Sequence, residues 1–283
     1  MLPFWLSIVV LSVVQGLLVA LPRSPAALPL TGLRGRRWAL IPPASVLAFV
    51  LIARSAEHAS GLLLTYLALV AVPLLAAAAL GWLAHGARPV LALAVVPLFA
   101  LAWADNGGLA GETAALVLSG LSCVTLGVLL AAVTPPRWLA AGIVAMALAD
   151  TALVVSDLLQ RPNSALNAAH PVAGLPQLQR AVFGSAVMGY GDLFIAGVLG
   201  GLLAGTFAGS EQPRGALMTA AFALGFDLLF FLVNELPATV PVALALLAVL
   251  IMRRRRSALR RRAAEPGRVA VGWGRRRRAP LVP

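Results

Sequence analysis

Lysine is absent from this chain, cysteine occurs once, histidine three times and tyrosine twice, and only 11% of the 283 residues carry a charge. Each scarcity excludes something. A single Cys123 rules out an intramolecular disulfide and a thiolate metal cage. His58, His85 and His170 fall in the connections between apolar runs, at spacings that suit neither a zinc site nor a serine–histidine pair. The shortage of charge excludes an ordinary soluble domain, whose surface needs far more of it. What fills the chain instead is apolar: 60% of residues are hydrophobic and the mean hydropathy is +0.93. Repeated apolar runs of about 20 residues read as an all-α, polytopic membrane helix bundle.

Charges, prolines and glycine clusters divide the chain into about nine candidate spans. They cover residues 4–21, 39–54, 61–84, 88–104, 113–133, 137–158, 180–208, 215–235 and 237–252. The third and fourth form a tight helical hairpin through His85 and Arg88. The longest internal connection, 159–179, contains Pro162, Pro171 and Pro176 and is expected to be a polar loop. No internal repeat and no extramembrane domain stands out. The organisation is therefore a membrane domain over 1–252, followed by a polybasic segment over 253–283 that is expected to be disordered.

The net charge of +12 is concentrated at one end. Twelve of the 22 basic residues follow Met252, leaving ten arginines against nine acids before it. Runs such as Arg253-Arg254-Arg255-Arg256 and Arg275-Arg276-Arg277-Arg278 are juxtamembrane charge that holds the C-terminus in the cytoplasm and meets anionic lipid headgroups. Nucleic acid is not an expected partner, because the tail lacks a folded basic face and interleaved aromatics. With the N-terminus outside, Arg23, Arg34, Arg36, Arg37, Arg88, Arg137, Arg214 and the tail are inside, while Arg54, Arg161 and Arg180 are outside. That distribution requires an odd number of crossings. The first run has no basic residue before it and is read as a retained span.

Within the spans, acids are few. Asp150, Asp192 and Asp227 are expected at mid-depth in the sixth, seventh and eighth, with Asp157 and Glu235 nearer the outer ends. A carboxylate in hydrocarbon costs about 2.5–3.5 kcal/mol on insertion scales, so it is read as functional by default. Asp150 and Asp157, seven residues apart, would share a helix face. Asp150 and Asp192 lie on consecutive antiparallel spans. Brought together in low dielectric, two carboxylates share a proton, one acting as base on a water while the other polarises a carbonyl. This chemistry needs no metal and no cofactor. The alternatives are a proton or cation pathway through Asp150, Asp192 and Asp227, a structural role for each acid in bonding a neighbouring polar side chain, and a non-catalytic scaffold with a basic tail.

Asp192 ends the motif Gly189-Tyr190-Gly191-Asp192, which is followed by Leu193-Phe194-Ile195-Ala196-Gly197. With Ala149-Asp150-Thr151 before it and Pro237-Ala238-Thr239-Val240-Pro241 after it, the pattern resembles the Gly-x-Gly-Asp intramembrane aspartyl proteases that include presenilin and signal peptide peptidase. The order matches the family's Asp in span six, Gly-x-Gly-Asp in span seven and Pro-Ala-Leu before span nine, and nine spans is the family's number. The resemblance covers about 137–252. It implies a presenilin-like fold, transmembrane or signal-peptide segments as substrates, and Asp150 and Asp192 as the catalytic pair. It also implies substrate-binding or site-shaping roles for Gly189, Tyr190, Gly191, Pro237, Ala238, Thr239 and Pro241, with Asp227 the alternative acid. The chain departs from the family at Ala149, where a tyrosine is common, and at Thr239, in place of leucine. Prepilin peptidases also carry Gly-x-Gly-Asp, usually with a lysine two residues on, where this chain has Phe194. The glycines are expected to permit close approach to Asp192. Pro237 and Pro241 are expected to unwind the chain into backbone that a substrate strand can meet.

Overall fold

The computed structural model describes residues 3–55, 57–206, 211–233 and 235–263. Every one of the nine apolar stretches carries helix. They are α1 (Phe4–Ala20), α2 (Ile41–Ser55), α3 (Glu57–Ala78, widening into a π turn over Ala79–Leu83), a 3-10 turn over Pro89–Ala94 leading into α4 (Val95–Ala104), α5 (Leu109–Val133) and α6 (Pro136–Val155). After a short α7 (Gln160–Ala168) come α8 (Tyr190–Thr206), α9 (Gln212–Asp227, with a 3-10 turn over Leu228–Phe231) and α10 (Val240–Ala263). Four helical segments are long and apolar enough to cross a membrane: Gly61–Leu83, Leu109–Val133, Pro136–Val155 and Gln212–Phe231. Phe4–Ala20, Pro89–Ala104 and Tyr190–Thr206 are shorter apolar helices. The outward faces of the long segments carry bare hydrocarbon, with Leu74 on Gly61–Leu83 68% and Leu217 on Gln212–Phe231 72% exposed. So much exposed aliphatic surface suits lipid and not water. The chain is a helical membrane protein.

Four expectations are corrected. The fold is not purely helical. Residues 180–189 open the seventh stretch as an antiparallel hairpin of β1 (Arg180–Phe183) and β2 (Ala186–Gly189), in which Ala181 faces Met188 and Phe183 faces Ala186. Gly184 turns it with φ of 60°, a conformation glycine adopts without strain. Second, the 159–179 connection is not simply a loop, since α7 occupies nine of its residues. Third, Asp157 shares no helix face with Asp150, because α6 stops at Val155 and Asp157 sits beyond it, exposed and at φ of 58°. At the C-terminus, α10 does not end at Met252 but continues through Arg253–Arg256 to Ala263. Residues 264–283, with Arg275-Arg276-Arg277-Arg278, lie outside the described residues.

Buried α5 and α8 form the axis of the bundle. On α8 every residue from Leu193 to Ala204 is buried, and α5 buries fifteen of its residues. Their contact depends on missing side chains. A Cβ on Gly197 would collide with the Cys123 carbonyl, and one on Gly127 would collide with the Gly197 carbonyl. Small residues at such a crossing let backbones touch, which is how helices gain packing energy where lipid is as apolar as leucine.

Hydrogen bonds between connections define two ends of the bundle. At one end, Arg23 N–H donates to Leu83 O (2.8 Å), Gly35 N–H to Val133 O (2.8 Å), and Gln212 Nε2 to Pro22 O (2.8 Å). Glu211 pairs there with Arg214 (3.0 Å) and Arg256 (3.3 Å). At the other end, Asn106 Nδ2 donates to Gly174 O (2.8 Å) and Gly184 N–H to Glu112 (2.7 Å), and Trp5 stacks on Phe231 with centroids 4.5 Å apart. Arginines assigned above to one side of the membrane thus cluster at one end.

Candidate active site

Asp192 is placed by the hairpin. Strand β2 ends at Gly189 and α8 starts at Tyr190, so the acid lies in the first turn of its helix and not a dozen residues inside a span. Gly189 N–H donates to Asp192 Oδ2 at 3.1 Å, satisfying the carboxylate with a backbone group at the helix entrance. Asp150 lies deeper in its own helix, five residues before α6 ends, or about 7 Å at 1.5 Å per residue. Both acids therefore sit toward the end of the bundle opposite the arginine cluster. Asp150 is 8% exposed, and its Oδ2 accepts a 2.7 Å hydrogen bond from Thr239 Oγ1.

The segment before α10 has the irregularity expected of its prolines. Residues 235–237 are not helical, residues 238 and 239 turn, and α10 begins at Val240. Pro237 and Thr239 are buried, and Val240 N–H donates to Pro237 O at 3.1 Å to start the helix. Thr239 caps it, since its carbonyl accepts from Ala243 N–H. The residue that departs from the Pro-Ala-Leu pattern is thus the one that holds Asp150. Thr239→Val keeps the shape and removes the bond. It should cost about 1.5–3 kcal/mol, the range for hydrogen bonds to charged groups, as read by thermal unfolding in detergent.

Asp150, Asp192 and Asp227 all border one cavity of about 980 Å³, walled mainly by aliphatic and aromatic side chains. Gly189, Tyr190, Gly191, Ala238 and Pro241 also border it, as do Gln15 and Arg180. Pro237 and Thr239, both buried, do not border it. Asp227 is half-buried at the end of α9 and accepts a 2.7 Å hydrogen bond from Ser12 Oγ on α1. Glu235 borders the cavity from the exposed chain before α10.

The Tyr190 hydroxyl is engaged with Ser122 Oγ on α5 at 2.7 Å, so it ties α8 to its neighbour. At Gly191 no other backbone lies against the helix among the described residues, and a Cβ there would meet only Met146 Cε at an ordinary 3.7 Å. Close backbone approach occurs lower on α8, at Gly197. Sequence reasoning also passed over Ser12, Gln15 and Ser122, and the signal available was a neutral polar side chain inside an apolar helix. Among the described residues no group of three His, Cys, Asp or Glu side chains is placed to hold a metal. His170 instead meets Gln177 at 2.6 Å and His85 meets the Leu21 carbonyl at 3.1 Å.

Comparisons of the chain with protein-family models, with curated proteins and with solved structures returned no match.

Proposed function

We propose that this protein is an intramembrane aspartyl protease of presenilin-like, nine-span architecture, hydrolysing peptide bonds in transmembrane or signal-peptide segments. The observation that carries the reading is the convergence of Asp150 and Asp192, from different helices, on one apolar-walled cavity beside the unwound 235–239 segment. In this reading the two acids share one proton and hold a water between them. The ionised carboxylate takes a proton as that water attacks the scissile carbonyl, and the protonated one donates to the carbonyl oxygen. Collapse of the tetrahedral intermediate breaks the C–N bond, and a carboxyl proton passes to the departing amine. A substrate helix must unwind to be cut. Strand β2, with a strand neighbour on one side only, and the 235–239 backbone offer main-chain groups to an extended segment.

The arginine-rich end faces the cytoplasm in this reading, with the N-terminus outside, the C-terminus inside and the tail against anionic headgroups. The dyad then opens to the outer half of the bilayer. Thiol labelling of single cysteines introduced in 159–179 should be blocked by an impermeant reagent added outside intact cells, and protection from that reagent would reverse the topology. The direct test of function is incubation of the purified chain in lipid bicelles with a transmembrane peptide, products being read by mass spectrometry.

One observation favours a second reading. Asp227 borders the same cavity as the other two acids, as a proton or cation relay would require. Asp227→Asn separates the two: hydrolysis should retain at least about half its rate, whereas proton-coupled uptake into proteoliposomes would be abolished.

A further inference from the structure

Gln15 is wholly inaccessible on α1, among residues that are nearly all apolar. Its Nε2 donates to Ala238 O at 2.8 Å and to Asp192 O at 3.3 Å. Its Oε1 is buried and has no hydrogen-bond partner among the described residues. Exchanging the two amide atoms would set Oε1 against two carbonyl oxygens, so the surroundings fix the orientation. A buried acceptor left unpaired costs about 1–3 kcal/mol. Methionine or leucine would pack at this position without that cost. What the amide adds is its pair of donors, and they join two particular places.

Those places are the turn that carries Asp192 and the unwound segment before α10. The next residue of that segment, Thr239, holds Asp150. A continuous path therefore runs from the Asp192 backbone through Gln15 to Ala238, along one peptide to Thr239, and on to the Asp150 carboxylate. Helix α1 carries neither acid, yet it closes this path. We propose that Gln15 is a positioning residue that fixes the separation of Asp150 and Asp192 by clamping the Asp192 turn to the Pro237-Ala238-Thr239 segment. The functional consequence rests on the protease reading, while the clamp itself does not. Misplacement of a reacting group by about 1 Å can cost 10²-fold in rate, so loss of the clamp acts on turnover more than on substrate affinity.

The test uses the full chain in bicelles, as parent, Gln15→Met and Gln15→Leu. Both variants are apolar, fill a similar volume and remove the NH2 donors. Backbone hydrogen exchange, read by mass spectrometry, should rise at least about fivefold in two separate segments, 189–193 and 236–243, and remain unchanged through 109–133. Against a transmembrane peptide, kcat should fall between about ten- and a hundredfold with KM within about twofold. Thr239→Val combined with Gln15→Met should be less than additive, because both interrupt one path. Three results overturn the proposal: no change in exchange, a rise spread along α1 and α9 as general loosening would give, or failure of both variants to fold. If the two segments loosen but the parent cleaves nothing, the clamp stands and the protease reading falls. If the parent cleaves and kcat is unmoved in the variants, the reading stands and Gln15 does not position the dyad.

Discussion

Asp150→Ala and Asp192→Ala are each expected to reduce cleavage of a membrane-embedded reporter helix by at least about a hundredfold, the scale of lost general acid–base catalysis. The expectation follows from placement. Both side chains border the cavity, and each receives a directed hydrogen bond, from Thr239 and from the Gly189 amide respectively. Asp157→Ala is the matched control, an exposed acid beyond the end of α6 that should leave the rate unchanged. The double variant should be no slower than the worse single, because a dyad acts as a unit. Asn at either position should be as inactive as Ala, since an amide keeps the shape but cannot exchange the shared proton. Retained cleavage in Asp150→Ala together with its loss in Asp227→Ala would transfer the partner role to Asp227.

Gly197→Leu is expected to prevent the chain from folding into a monodisperse species in detergent, while Gly191→Ala is tolerated. The difference lies in what each new side chain would meet. At Gly197 the first carbon already overlaps the Cys123 carbonyl, a rigid part of α5, whereas at Gly191 it reaches the flexible tip of Met146. Overpacking a well-filled core costs about 1–3 kcal/mol when side chains can give way. Here backbone must move, and α8 is buried on every face from Leu193 to Ala204, so the misfit has no direction in which to relax. Size-exclusion profiles of the two variants check the contrast.

The positions of the helices were legible because hydrocarbon imposes length and apolarity, and because prolines and charges mark the breaks. Hydropathy was also the source of the largest local miss. Averaged over a window, 180–189 looks like the start of an apolar span. Read residue by residue, it is two four-residue runs around Gly184-Ser185, a two-residue turn of the kind that closes hairpins. That local signal puts Asp192 at the head of a helix and gives its carboxylate a backbone donor. The pair Asp150 and Asp192 was legible from the expense of burying acids. Its support was not. Thr239, Gln15 and Ser12 are uncharged and individually unremarkable in composition, and their roles arise only when segments more than eighty residues apart are brought together.

Because the hairpin occupies the first ten residues of its stretch, α8 has 17 residues among those described, about 25 Å of helix against a hydrocarbon thickness of about 30 Å. The shortfall makes this protein sensitive to hydrophobic mismatch. A thin bilayer matches α8 and leaves the dyad close to interfacial water. A thicker one draws the polar hairpin into the acyl region, and the lipid must thin around it at a cost of fractions of a kcal/mol per ångström. Reconstitution in phosphatidylcholines of increasing acyl length should therefore lower turnover progressively, and a protein built this way would partition toward the thinner membranes of its cell.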